Sequence, residues 1–386
     1  MDQSKSNLSR RQMVAALGAL GATASGTLLA TNARAAIETG DILIGQSAHL
    51  SGPLAPSFAP VVKGQEMALA QINQRGGVHG RQVRLKLLDD AYDTKKAVEN
   101  VNRLIDDDKA VALYGLASTA TVGAVLPILA EKKVPLVGVY TGSPALRAKQ
   151  HPYFFTTMAS YRDEVAQMIR NLVTLQRTQI AVLWGKNPFG QLMLPVVEEL
   201  ARELGATIVA KASLEGDGSD AIPAAQALGA AKPQGVIFLA FGPAMIPFVK
   251  AARAYIGAPL YCISISNSKP ILAALGDDAR GLAFTQLIPY PWRATTALVR
   301  DYNAAMDAAG IPIDYDHYFG YLSMRVLLEG MRRGGKVVTS QSIVAGMESM
   351  RKTDLGGYTV DYGPSSHHGS KFVDITIVGP GGRFMR

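Results

Sequence analysis

Ser118 and Thr119 carry the sharpest chemical signal in the sequence. They follow the apolar run 110–114 and Gly115-Leu116-Ala117, and they open a helical pattern over 118–131. Backbone N–H groups at a helix start point outward and favour negative charge, and two hydroxyls beside them add donors. Such a place holds a carboxylate or another small anion. The same two residues also read as a plain N-cap, in which Ser118 only satisfies its own helix. Tyr140-Thr141-Gly142-Ser143, after the next apolar run, places more hydroxyls and an aromatic at a second strand end, which favours the ligand reading.

Binding needs more than one such end. Micromolar affinity requires about 8 kcal/mol. Hydrogen bonds to a charged group contribute ~1.5–3 kcal/mol each, and a helix terminus adds ~0.3–1 kcal/mol. The loops at 49–58, 115–119 and 140–143 supply about half of that, so a second wall has to close over the guest. Loops at 184–190, 241–243 and 264–268 offer one. Phe189 and Phe241 in these loops read equally as wall or as core. The loops at 49–58, 115–119 and 140–143 are rich in Gly, hydroxyls and aromatics and nearly free of charge.

Several chemistries are missing. There is no G-x-S-x-G elbow, no G-x-x-x-x-G-K-[ST] loop and no H-E-x-x-H pair. Six histidines are scattered, and the one neighbouring pair, His367-His368, sits in a Pro/Ser/Gly-rich loop that reads as solvated surface. Gly216 to Ala221 matches the dinucleotide fingerprint loosely, but Glu215 and Asp217 put negative charge where a pyrophosphate would lie, so it reads as a turn. A single cysteine, Cys262, excludes an internal disulfide and a Cys-based zinc site. Net charge is +8 without a Lys/Arg run, which argues against a nucleic-acid partner. The residues therefore imply no catalytic group, no metal and no cofactor.

The elements that must carry these loops alternate. Strands are expected at 41–48, 82–88, 110–114 and 135–139, with helices starting at Pro60, near 94 and at 118. A second series follows, with helices at 161–175, 188–204, 221–231 and 244–255 and strands at 179–184, 207–211, 235–240 and 260–264. This rhythm implies an α/β fold of parallel, doubly wound sheets. At 386 residues the chain exceeds one core, so the two series form two Rossmann-like lobes. Helices at 295–309, 316–333 and 342–350 and a strand at 372–378 complete it. Residues 1–35 read as an export leader: a basic head ending at Arg10-Arg11, a Gly/Ala-diluted apolar stretch and the small-residue end Ala33-Arg34-Ala35. Ser9-Arg10-Arg11 resembles a twin-arginine signal; general secretion remains the other route.

Ile72-Asn73-Gln74-Arg75-Gly76-Gly77-Val78-His79-Gly80, then Leu88-Asp89-Asp90-Ala91-Tyr92-Asp93, Phe189-Gly190 and Gly381-Gly382-Arg383-Phe384 run in order over nearly all of 41–386. With them the chain resembles the type I periplasmic substrate-binding proteins of ABC importers, in the leucine/isoleucine/valine-binding protein family. The resemblance implies two lobes joined by three crossings, near Thr157, Gln286 and Tyr358. Lobe one would be 36–157 plus 287–357, and lobe two 158–286 plus 358–386. It implies ligand contacts at Phe58, Ala117, Ser118, Thr119, Tyr140, Thr141, Gly142, Tyr161 and Phe241. It also implies a periplasmic location, a small-molecule ligand, and permease and ATPase subunits as partners, with the membrane reached only through the permease. A ligand-sensing lobe feeding a sensor kinase or chemoreceptor is the other reading of the same fold, and an exported enzyme a third. Amino-acid binders of this family hold the ligand's ammonium with an acid near 264–268, and many carry Glu where Phe319 stands. Here both are neutral, which opens the site to a carboxylate without the amine or to an amide, unless Asp314 or Asp316 replaces the acid.

Overall fold

A computed structural model describes residues 40–52 and 54–386; the expected leader at 1–35 lies outside the described residues. Strands β1 (Ile42–Ala48), β2 (Val83–Asp89), β3 (Ala112–Tyr114), β4 (Leu136–Val137) and β5 (Phe154–Phe155) form a five-stranded sheet in the order β2-β1-β3-β4-β5. Every pairing in it is parallel. β1, Ile-Leu-Ile-Gly-Gln-Ser-Ala, is buried along almost its whole length, as a central strand covered on both faces must be. Helices α1 (Ala55–Gln74), α2 (Thr94–Asp106), α3 (Thr119–Lys132) and the short α4 (Pro144–Arg147) connect these strands.

The second sheet has seven strands. β6 (Gln179–Gly185), β7 (Thr207–Leu214), β8 (Gly235–Leu239), β9 (Leu260–Cys262) and β10 (Ala283–Gln286) run parallel in the order β7-β6-β8-β9-β10. Helices α5 (Tyr161–Thr174), α6 (Pro188–Glu203), α7 (Ala221–Ala230), α8 (Met245–Tyr255) and α9 (Lys269–Leu275) cover it. Near the C-terminus, β13 (Asp374–Val378) and β14 (Phe384–Met385) extend this sheet antiparallel beyond β10. The strand order reverses between β1 and β3 in one sheet and between β6 and β8 in the other. Loops beyond the carboxyl ends of such switch points are where doubly wound sheets take ligands.

Helices α10 (Ala297–Ala309), α11 (Tyr315–Arg333) and α12 (Ser340–Glu348) pack with the first sheet, where Tyr302, Tyr318, Leu322 and Met331 share a core with Ile44 and Val61. α11 crosses α1 closely. A Cβ on Gly64 would overlap the His317 carbonyl, and one on Gly320 the Val61 carbonyl, so glycine at both positions permits the contact.

Two expectations need correction. α1 begins at Ala55, not at Pro60: Pro56 takes the first turn and Pro60 lies inside the helix, where packing against α11 outweighs one lost backbone bond. The last crossing lies past Tyr358. The Tyr358 hydroxyl donates to Thr157 O (2.7 Å), Val360 and Tyr362 are buried in the first core, and Thr156 bridges to His368. A small ribbon, β11 (Thr353–Asp354) with β12 (Thr359–Val360), precedes these contacts. The chain joins the second sheet only at Asp374.

Candidate ligand-binding cleft

A cavity of 430 Å³ lies between the two sets of strand-end loops. From the first lobe come the loop after β1 with α1 (His49, Leu54, Ser57, Phe58), the β3–α3 turn (Ala117 to Ala120) and the β4 end (Tyr140, Thr141); from the second come Tyr161, Asn187 to Phe189, Phe241, Gly242, Ile265, Asn267 and Ser268. Eight of the nine residues expected at the site line it: Phe58, Ala117, Ser118, Thr119, Tyr140, Thr141, Tyr161 and Phe241. Gly142 does not. Its carbonyl accepts the Tyr161 N–H (2.8 Å), and a Cβ there would strike the Tyr161 ring, so it positions Tyr161 instead.

The α3 start is built as follows. Ala117 bridges to Tyr140 in parallel, which continues the β3–β4 pairing to the cavity edge. Ser118 then adopts φ +74°, ψ 132° and caps the helix, its hydroxyl accepting from Thr121 N at 3.5 Å. The next residues, Thr119 and Ala120, have N–H groups without intrahelical partners and line the cavity. The Thr119 and Thr141 hydroxyl oxygens lie 3.0 Å apart, which ties the helix start to the neighbouring strand end.

Aromatic rings make both walls. On the first lobe Tyr92, His49, Phe58, Tyr140 and Phe319 form a chain with centroids 4.4–5.4 Å apart. On the second, Phe189 stands between Tyr161 (5.1 Å) and Phe241 (5.7 Å). These spacings are those of favourable edge-to-face pairs.

Among the described residues no Asp, Glu, Lys or Arg lines the cavity. Burial holds the His49 imidazole below its ordinary range, only partly opposed by Asp90 and Asp89, and burial pushes the Tyr140 and Tyr161 hydroxyls up. The wall is neutral at ordinary pH. Asp314 and Asp316 do not line it: Asp314 caps α11 through His317 N (2.8 Å), and Asp316 lies in two adjoining cavities. Burial and the charge of Asp314 raise the Asp316 carboxyl well above the usual carboxylate range.

Buried polar groups brace the crossings. Arg147 donates to Met158 O (3.0 Å) and Ala159 O (3.1 Å), with burial lowering its guanidinium to about 10. Glu164 is fully buried in α5 and accepts from Ser264 N (2.8 Å), the Ser264 hydroxyl (3.0 Å) and the Thr285 hydroxyl. Burial pushes its carboxyl up to about 7 against those bonds. The pair His367-His368 is not solvated surface: His367 is buried, stacks on Phe155 at 3.8 Å and contacts Glu348 at 3.0 Å. Among the described residues no three His, Cys, Asp or Glu side chains gather to hold a metal, and no helix is long and apolar enough to cross a membrane.

Two α/β lobes whose switch-point loops enclose one neutral, aromatic cavity define a binding protein of the two-lobed type. The chain belongs to the periplasmic binding protein family: the family model of that description matches residues 41–382. It is similar to Leu/Ile/Val-binding protein homolog 3 of Brucella melitensis, 25% identical over 87% of this chain and 90% of that one. Among solved structures it is similar to a substrate-binding periplasmic protein from Ralstonia solanacearum, 31% identical with a TM-score of 0.80 over 89% of this chain and 99% of that one. The fold also matches a branched-chain amino acid ABC transporter protein from Thermus thermophilus with bound valine, 19% identical with a TM-score of 0.79 over 90% and 95%.

Proposed function

We propose that this chain is the periplasmic receptor of an ABC importer. It closes its lobes on one small carboxylate-bearing solute, an amino acid or an aromatic or other organic acid, and delivers it to the permease without chemical change. Ser118 and Thr119 at the α3 start, with Tyr140 and Thr141 beside them, take the carboxylate, and Phe189 and Phe241 close over the rest. The observation that carries this reading is a cavity lined from both lobes, with the Thr119 and Ala120 end of the Ser118-capped helix in its wall. Family membership and the importer relatives support it. The receptor meets the membrane only through the permease, whose ATPase subunits lie on the far side.

A thermal-shift screen of amino acids, aromatic acids, dicarboxylates and amides tests the proposal. A solute at 100 times its Kd stabilises by ~2.7 kcal/mol, a rise of several degrees. Replacing Ser118 and Thr119 together by Ala should abolish that rise. A full rise in the double variant would refute the anion assignment.

A further inference from the structure

Two buried polar side chains in the cleft wall, His49 and Asn267, have no hydrogen-bond partner among the described residues. His49, after β1, is 6% exposed, and Asn267, after the turn that follows β9, is 8% exposed; both line the cavity. The His49 ring packs against the rings of Phe58 and Tyr92. Asn267 uses its backbone N–H, donated to Ser264 O at 3.0 Å. Among the described residues neither side chain makes a hydrogen bond. Buried polar groups are ordinarily paired. A guest that shuts solvent away from these two has to supply their bonds or lose affinity.

Charge narrows the guest further. Among the described residues no carboxylate lines this wall to meet an α-ammonium. An unpaired charge taken out of water is strongly disfavoured, whereas an amide and a neutral imidazole suit a hydroxyl or carbonyl. The remaining wall is aromatic on both sides, which suits the face and edge of a flat ring.

We infer that the cleft takes an amine-free aromatic carboxylic acid, and that His49 and Asn267 bind a neutral hydroxyl or carbonyl on its body. This rests on the receptor reading above and names its substrate class. Neither residue was among the site residues expected from the sequence.

Calorimetric titration with matched pairs tests it: phenylalanine against 3-phenylpropanoate, and tyrosine against 3-(4-hydroxyphenyl)propanoate. The amine-free member should bind at least tenfold tighter in each pair. The phenol should add threefold or more between the two amine-free acids. Asn267→Asp should narrow the discrimination against the amino acids at least tenfold. His49→Phe and Asn267→Leu should each remove the gain from the phenol, with free-protein melting within a few degrees of wild type as the folding control. An amino acid binding as tightly as its amine-free partner overturns the inference and leaves the receptor reading standing. So does a phenol gain that survives both His49→Phe and Asn267→Leu. Absence of heat with all four probes overturns the inference too, and the broader thermal-shift screen then decides the receptor reading separately.

Discussion

The Ser57 and Ser268 hydroxyl oxygens lie 3.0 Å apart, one carried by α1 of the first lobe and the other at the entry to α9 of the second. Both line the cavity, so this contact joins the two lobes across it, and the closure proposed above would depend on it. Losing such a bond costs about 0.5–1.5 kcal/mol net, and the cost falls on the closed state alone. Ser57→Ala should therefore weaken solute binding about two- to tenfold, mostly by faster release. Stopped-flow release rates and calorimetry check this, and an unchanged release rate counts against closure through this contact.

Ser118 combines two demands that conflict. Its hydroxyl caps α3, yet its φ of +74° is a region that favours glycine. A non-glycine residue there costs ~1–3 kcal/mol. Ser118→Gly relieves that strain, at a cost of ~0.5–1 kcal/mol in chain entropy and a few tenths from the cap. The unliganded melting temperature should hold or rise by a few degrees. Solute affinity should fall about ten- to a hundredfold, since a hydroxyl bond to a charged group is lost. Stability and binding moving in opposite directions is the signature; a parallel loss of both would mean that Ser118 serves the helix alone.

Glu164 makes stability depend on pH. Its folded carboxyl is raised from 4.5 to about 7 by burial, so the folded state holds the proton more tightly than the unfolded chain does. The contribution is complete below about pH 4.5 and is lost as pH rises through about 7. At one pH unit per 1.36 kcal/mol its ceiling is roughly 3 kcal/mol. Melting temperature should decline between pH 5 and 8 in the wild type, and Glu164→Gln should flatten that decline. A slope identical in both proteins would assign the pH dependence elsewhere.

Strong periodicity and strand-end position made most of the frame legible in the sequence. α2 buries a face at helical spacing (Ala97, Val101, Leu104 and Ile105), β1 is a short apolar run buried almost throughout, and the loops after β1, β3, β6 and β8 follow from the alternation itself. Two of the strands, β5 and β10, were not legible. β5 and β10 have two and four residues and are held by their neighbours rather than by any pattern of their own. The last crossing was misplaced because Val360 and Tyr362 are buried by Phe155 and Thr156, contacts some two hundred residues apart along the chain. His49 and Asn267 stood inside loops already singled out, but their lack of hydrogen-bond partners is a property of the folded wall. Gly142 was chosen for its neighbours; its own carbonyl turns out to hold Tyr161.

Closure of one lobe on the other around a single guest can be tested by fixing it. Ser57→Cys combined with Ser268→Cys places two thiols where the hydroxyls now meet, and the only native cysteine, Cys262, is buried. With a solute drawn from the thermal-shift screen, exchange should be at least a hundredfold slower in the oxidised protein than after reduction, because the guest cannot enter or leave a bridged cleft. Equal exchange rates in the two redox forms would contradict closure as the binding step.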